Sequence, residues 1–260
     1  MLRYITSILA FLLCSMSYAQ EGSEDLTIVK DEAEVVVKDT IAPSKDSYGL
    51  RIGLDLSKPI RMLLEKDYQG LEVVADFRIT KKFYLAAELG NEKKTVDDDQ
   101  LNFTTEGSYI KVGFDFNAYE NWFGMQNSIF AGLRYGYSSH KQTLNSYRIY
   151  LNDTHLENPD NLEFVSGTEF SSLNAHWIEA VAGIKVELYN NIYLGFSVRL
   201  NRLISTKEPD NFQNLFIPGF NKVTTDSNVG AGFNYTITYS IPIYKKAKKK
   251  KEEATEEEEK

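Results

Sequence analysis

The sequence predicts an all-β protein: a closed antiparallel transmembrane β-barrel of about eight strands, with a disordered N-terminal linker and a C-terminal tail. Three observations predict it. Apolar and polar residues alternate at period two in recurrent runs between Tyr48 and Ile241, glycines and charges share one parity of those runs, and the connections between them alternate short with long.

The first run places Leu50, Ile52, Leu54 and Leu56 on one face and Arg51, Gly53 and Asp55 on the other. In the second, Leu71, Val73, Ala75, Phe77 and Ile79 oppose Glu72, Asp76 and Arg78, with Val74 out of pattern. Phe83, Leu85, Ala87 and Leu89 make the third; Ile110, Val112, Phe114 and Phe116 the fourth; Ile129, Ala131, Leu133, Tyr135 and Tyr137 the fifth. The sixth sets Ile178, Ala180, Ala182, Ile184, Val186 and Leu188 against Glu179, Gly183, Lys185 and Glu187. Ile192, Leu194, Phe196, Val198 and Leu200 follow, and the eighth run alternates without a break from Val229 to Ile241. Such runs are strands with one face in an apolar medium and one in a polar medium.

A soluble sandwich or lipocalin-like barrel would alternate too, so the polar parity decides. It carries Arg51, Arg78, Lys111, Arg134, Lys185 and Arg199 against Asp55, Glu72, Asp76, Glu88, Asp115, Glu179 and Glu187, a near-balanced set suited to pairing inside a narrow lumen. Gly49, Gly53, Gly90, Gly113, Gly132, Gly136, Gly183, Gly195, Gly230 and Gly232 share that parity, where backbones converge around a small interior. The expected site is therefore this lumen charge network of thirteen residues, acting as a plug.

Lys81-Lys82 and Tyr189-Asn190-Asn191 read as tight turns at one end. The long connections near 58–70, 91–108, 139–175 and 202–228 all fall at the other, which is expected to be extracellular. Tyr48, Tyr84, Tyr109, Trp122, Tyr137, Trp177, Tyr193 and Tyr244 lie near segment ends and are expected at the water–lipid boundary.

Outside the barrel, assigned to residues 48–244, Arg3, the apolar run Ile5–Leu13 and Ser17-Tyr18-Ala19 read as a signal peptide over 1–19, cleaved before Gln20. The apolar run falls short of the roughly 20 residues of a membrane anchor, and Leu13 stands where a small residue would precede a lipidated Cys14. Cys14 is the one cysteine, so removal of the leader leaves no thiol. Residues 20–47 read as a charged periplasmic linker and 245–260 as a solvated Lys/Glu tail. A net charge of −8 argues against nucleic acid as a partner.

Little else suggests chemistry. Of the three histidines, His140 and His155 are expected to be solvated loop residues, and His176 an interfacial one. A Ser/His/carboxylate hydrolase built on His176 with Ser171, Ser172, Glu169 and Glu179 is the enzymatic alternative. Asp97-Asp98-Asp99 offers oxygens to a hard cation but lacks the glycine of an EF-hand loop. No catalytic residue, metal ligand or cofactor site is expected.

The architecture, the leader and a last strand carrying Tyr235, Tyr239 and Tyr244 resemble the small outer-membrane barrels of the OmpA and OmpX type, over Tyr48 to Tyr244. The resemblance implies a Gram-negative outer-membrane protein, with membrane lipid and the barrel-insertion machinery as partners and an extracellular ligand that the sequence does not name. The tail and Pro242, which interrupts the last run, depart from that pattern. A non-enzymatic structural or loop-mediated binding role is the expected function; a narrow pore and the His176 lipid hydrolase are the alternatives.

Overall fold

The computed structural model describes residues 45–98, 101–119, 126–148, 163–209, 213–224 and 227–247. Eight strands form it: β1 (Lys45–Asp55), β2 (Tyr68–Arg78), β3 (Phe83–Asp97), β4 (Leu101–Asn117), β5 (Ser128–Arg148), β6 (Glu163–Tyr189), β7 (Ile192–Thr206) and β8 (Val229–Ala247). Each pairs antiparallel with its neighbours in chain order, and β1 pairs with β8 to close the ring. A closed sheet leaves no edge with unpaired backbone groups.

The two parities separate across the wall. Outward side chains such as Leu85, Ile129, Leu200 and Phe233 are 51 to 61% exposed, whereas inward Glu72, Glu179 and Lys111 are at most 1% exposed. Val74, the residue out of pattern in the second run, is buried with the inward set, as is Val181. Two small inward aliphatics help fill a lumen too narrow for a full set of long charged chains.

The short-turn end is built as the sequence suggests. The amides of Ile79 and Thr80 donate to the Phe83 carbonyl at 3.0 and 3.1 Å. Between β6 and β7, Asn191 takes φ +67°, a left-handed conformation that asparagine tolerates.

At the other end the structure corrects several expectations. Much of 91–108 and 139–175 is strand rather than loop, because β3 to β6 continue past the point where their outward residues turn polar. There the backbone ladder persists without an apolar period, and a cross-strand row of ion pairs joins the strands. Glu106 meets Lys93 at 3.1 Å and Lys141 at 3.0 Å, and Lys141 meets Glu169 at 3.2 Å. The first connection, read as a loop, holds the helix α1 (Ser57–Leu64). Its start is fixed by Asp55, whose carboxylate accepts from the Ser57 amide at 2.8 Å and hydroxyl at 2.7 Å, and Pro59 falls in the first turn, where the missing amide costs nothing.

The aromatic residues are largely not at a boundary. Tyr48, Tyr84, Tyr109, Trp177 and Tyr193 are buried inside, since they sit on the inward parity, while Tyr137 does face outward. Gly136 makes room for one of them: the Trp177 indole lies across it, where any β-carbon would collide with the ring. Trp122 and the side chain of Tyr244 lie outside the described residues.

The barrel also reaches further than 48–244, with Lys45 paired to Ala247. Pro242 does not end β8. Pairing steps from Gly49↔Pro242 to Tyr48↔Tyr244, a bulge that absorbs the missing amide and lets the ladder resume. The leader, the rest of the linker and the rest of the tail lie outside the described residues.

Candidate functional site

The interior is layered along the barrel axis. Toward the short-turn end Asp76 accepts from Arg51 Nε and Lys185 Nζ, both at 2.6 Å. Arg78 donates to the carbonyls of Thr80 and Lys81 at 3.2 and 3.4 Å and stacks its guanidinium 4.7 Å from the Tyr48 ring. Glu187, half-buried, accepts from the Asn191 amide at 3.2 Å and so serves the turn rather than the middle of the lumen.

The middle layer is the densest. Arg199 holds Glu88 through two nitrogens, at 2.5 and 3.1 Å, and Glu179 at 2.8 Å. Lys111 sits among three carboxylates, 3.5 Å from Glu88, 3.5 Å from Glu179 and 3.8 Å from Glu72. Arg134 meets Asp115 at 2.7 Å and Glu88 at 3.5 Å. Tyr109 donates to Glu72 at 2.5 Å, and Asn234 donates to Asp55 and Glu72. Buried ions are tolerable only when paired and hydrogen-bonded in this way. The space beside Asp76, Glu88, Arg134, Lys185 and Arg199 is about 30 Å³, enough for a water or two.

Above this lies a layer that sequence reasoning missed. Glu92, fully buried, accepts from Lys58 of α1, from the Tyr68 hydroxyl at 2.6 Å and from the Gly219 amide at 2.7 Å. Its outward neighbours Asn91 and Lys93 are polar, so the cluster stands beyond the apolar part of the wall. Burial alone would raise the Glu92 carboxyl, but the Lys58 charge and the three donors outweigh it and hold it at about 2. Lys58 is in turn held charged, its burial overcome by Glu92.

The segment 213–224, read as part of a long loop, folds down as a cap over the mouth. Ile217 and Phe220 pack with Tyr109, Ala175 and Trp177, while Phe216 packs with Tyr68 and Phe103. Gly219, at φ +81° against the Tyr109 ring, makes the turn between them. Polar ties complete it: Asn201 donates to the Phe220 carbonyl at 2.5 Å and Gln142 to that of Gln213 at 3.0 Å. The signal in the sequence is the apolar run Phe216-Ile217-Pro218-Gly219-Phe220, out of place in a solvated loop. For Glu92, the signal is that it continues the parity of Glu88 and Gly90.

His140 is buried beside the cap on the inward parity of β5, not solvated. Burial, against a contribution from Asn214 and reinforced by the Lys222 charge, pushes its imidazole down to about 4, so it is neutral at pH 7. His155 lies outside the described residues. His176 faces outward, where Nδ1 lies 2.8 Å from the Tyr135 hydroxyl and the ring stands 4.9 Å from that of Tyr137. Glu179 is on the opposite face of β6, bound to Arg199, so the Ser/His/carboxylate arrangement considered for His176 cannot use it. Asp97 accepts from Asn102 at 2.9 Å.

The family model for DUF6048, described as a domain of unknown function, matches residues 1–246. The chain belongs to this family. No finding ties the chain to the OmpA or OmpX families; of that expectation the closed eight-stranded barrel is what the structure bears out. No curated protein matches this DUF6048 chain. Among solved structures it is similar to Ail, the attachment invasion locus protein of Yersinia pestis, at 8% identity and a TM-score of 0.38, over 75% of this chain and 97% of that one. A likeness so loose transfers no role.

Proposed function

We propose that the chain is a non-enzymatic barrel of the bacterial outer membrane, closed inside by paired charges, whose role is structural or is carried by binding at its long-loop end. The observation that supports this is the inverted wall. Outward leucines, isoleucines and phenylalanines half-exposed around the ring, with arginines, lysines and carboxylates buried within, would be an aggregating surface in water and a matched one in lipid. In this reading the first 19 residues are a leader removed after Ala19, the aromatics of β8 are presented to the insertion machinery, and the end carrying α1 and the 213–224 cap faces outward from the cell. The small interior space and the capped mouth favour a plug over a pore.

Cell fractionation with gel electrophoresis tests the placement: the protein should follow the outer membrane and run as a compact band that shifts on boiling. Recovery in the soluble periplasmic fraction would overturn it. Planar-bilayer recording tests the plug, for which no steady conductance is expected; a stable ion-selective pore in the unmutated protein would refute it.

A further inference from the structure

The helix α1 has two unlike faces. Lys58, Arg61 and Glu65 recur at the spacing that puts side chains on one side of a helix, with Met62 beside them, and this side meets the barrel mouth. Lys58 is buried against Glu92. The Arg61 guanidinium stands 4.1 Å over the Tyr68 ring and is held by Glu65 through two nitrogens, each at 3.0 Å. Ile60, Leu63 and Leu64 recur at helical spacing on the opposite side and are 47, 85 and 75% exposed. A helix fixed by its polar side and left with three large apolar side chains in water would give up the free energy of burying them.

The height of α1 on the wall decides what that side meets. Near its end β1 pairs Leu54 with Val73 and Ile237, and above this point α1 takes the place of the strand, packed on β2 and β8. The Leu56 amide, just before the helix, still donates to the Tyr235 carbonyl of β8 at 2.6 Å. Ile60 and Leu64 line one groove with the outward Phe233 and Tyr235, which belong to the apolar wall. On β2 the outward side chains pass from Val73 and Leu71 to Gln69 at this height. The apolar side of α1 is therefore continuous with the wall and stands at its upper edge. Among the described residues none covers it. Lys45 and Ala247 pair at the opposite, short-turn end, and the undescribed residues flanking the cap, 210–212 and 225–226, are too few to cover an eight-residue helix.

We propose that α1 is an interfacial helix whose partner is the hydrocarbon edge of the leaflet at the long-loop end, and that its seat there holds the cap over the barrel mouth. The proposal rests on the membrane placement above. The coupling runs through one carboxylate. Glu92 accepts from Lys58 on α1, from the Tyr68 hydroxyl at 2.6 Å and from the Gly219 amide of the cap at 2.7 Å. With Ile60, Leu63 and Leu64 in hydrocarbon, α1 lies in the plane of the leaflet and its opposite side delivers Lys58 to the mouth. Without lipid the same three side chains gain by turning toward other apolar surface, and a rotation of α1 that shields them withdraws Lys58 from Glu92. A buried carboxylate deprived of its cation draws in water, and the Gly219 amide then loses its hold on it.

Two measurements on the full-length protein in phosphatidylcholine vesicles test this. In Leu63→Trp, the emission added to that of wild type should be quenched by phosphatidylcholine brominated along its acyl chains and spared by iodide in the water. Quenching by iodide alone would put α1 in water, and quenching by neither would show it covered by protein; either result in inserted, heat-modifiable protein overturns the lipid partner while leaving the membrane placement intact. Hydrogen exchange at 213–224 reads the coupling. Leu63→Ser/Leu64→Ser should speed it on the order of ten-fold, Lys58→Met should match that, and the triple variant should add nothing to either. Leu188→Ser/Ile243→Ser, which removes two apolar side chains at the short-turn end, should leave the cap unchanged. Unaltered exchange in the Leu63/Leu64 variant, or equal acceleration by the short-turn variant, would refute the hold of α1 on the cap. A wild-type protein that does not insert at all would overturn the placement, and the proposal with it.

Discussion

Replacing Arg199 with methionine removes the residue that ties the middle layer together. Glu88 would lose two contacts, at 2.5 and 3.1 Å, and keep Lys111 and Arg134 at 3.5 Å. Glu179 would lose its 2.8 Å contact and keep Lys111 at 3.5 Å and the Trp177 indole at 3.3 Å. Breaking a buried pair from one side costs about 3–5 kcal/mol. Because both carboxylates keep a more distant cation, the loss should fall near the lower end, about 3 kcal/mol. The second arm is Arg199→Met/Glu88→Gln, which removes the stranded charge as well as its partner. If pairing is what makes the charge tolerable, the double variant should recover at least about 1.5 kcal/mol relative to the sum of the two singles. Urea unfolding in lipid vesicles, read by the gel shift between folded and unfolded bands, gives all three values. A coupling under about 0.5 kcal/mol would show that the layer is wet enough to ignore its pairing, and the plug would lose its basis.

Three further outcomes are expected. Ala182→Arg, outward near the middle of β6, should cost about 2–4 kcal/mol in lipid, and Ser139→Arg, beyond the apolar part of β5, no more than about 1 kcal/mol; equal costs in the same urea assay would contradict the membrane wall. Gly136→Val should displace the Trp177 indole and destabilise by about 1–3 kcal/mol, with a red-shifted tryptophan emission; an unchanged spectrum and midpoint would show that the ring does not need that space. The cap should respond to acid in two stages, read by hydrogen exchange at 213–224. His140, held neutral, should weaken it as pH falls from its ordinary 6.5 toward about 4, because protons then favour the open form. Glu92, depressed to about 2 from 4.5, stabilises above 4.5 and should release it only as pH falls through that lower window. His140→Phe should abolish the first stage and leave the second.

How far the sequence speaks depends on the element. Period-two alternation requires only that each residue know which side of the wall it faces, a local property, so the strands, their order and their faces were legible from Leu50 to Ile241. The aromatics show where this fails. Nearness to a segment end points Tyr109 and Trp177 to the boundary, whereas their parity points them inward, where they are buried. The polar ends of β3 to β6 carry no apolar period, and only pairing with a neighbour reveals them as strand. Within the lumen, Arg199 of β7 meets Glu88 of β3, which lies four strands and 111 residues away. Parity says that such residues share a face but not which cation meets which carboxylate. The Glu92 cluster was hidden for the same reason, since Lys58 and Gly219 reach it from segments whose course the sequence does not fix.

The ring closure described for β1 and β8 has a kinetic consequence. The β2–β3 and β6–β7 pairs join across tight turns and are cheap to close, whereas the seam brings Lys45 to Ala247, the two ends of the described chain. Each doubling of a loop costs about 0.6 kcal/mol of closure entropy, so this one joint costs about 3 kcal/mol more than a hairpin turn. It is also the joint without which Asn234 of β8 cannot reach Asp55 of β1 and Glu72 of β2. Folding should therefore run as a sheet that grows hairpin by hairpin and locks last at the seam. Until the final strand arrives, Asp55 and Glu72 stay solvated and the chain remains open, a state that fits delivery to a membrane under the placement proposed above.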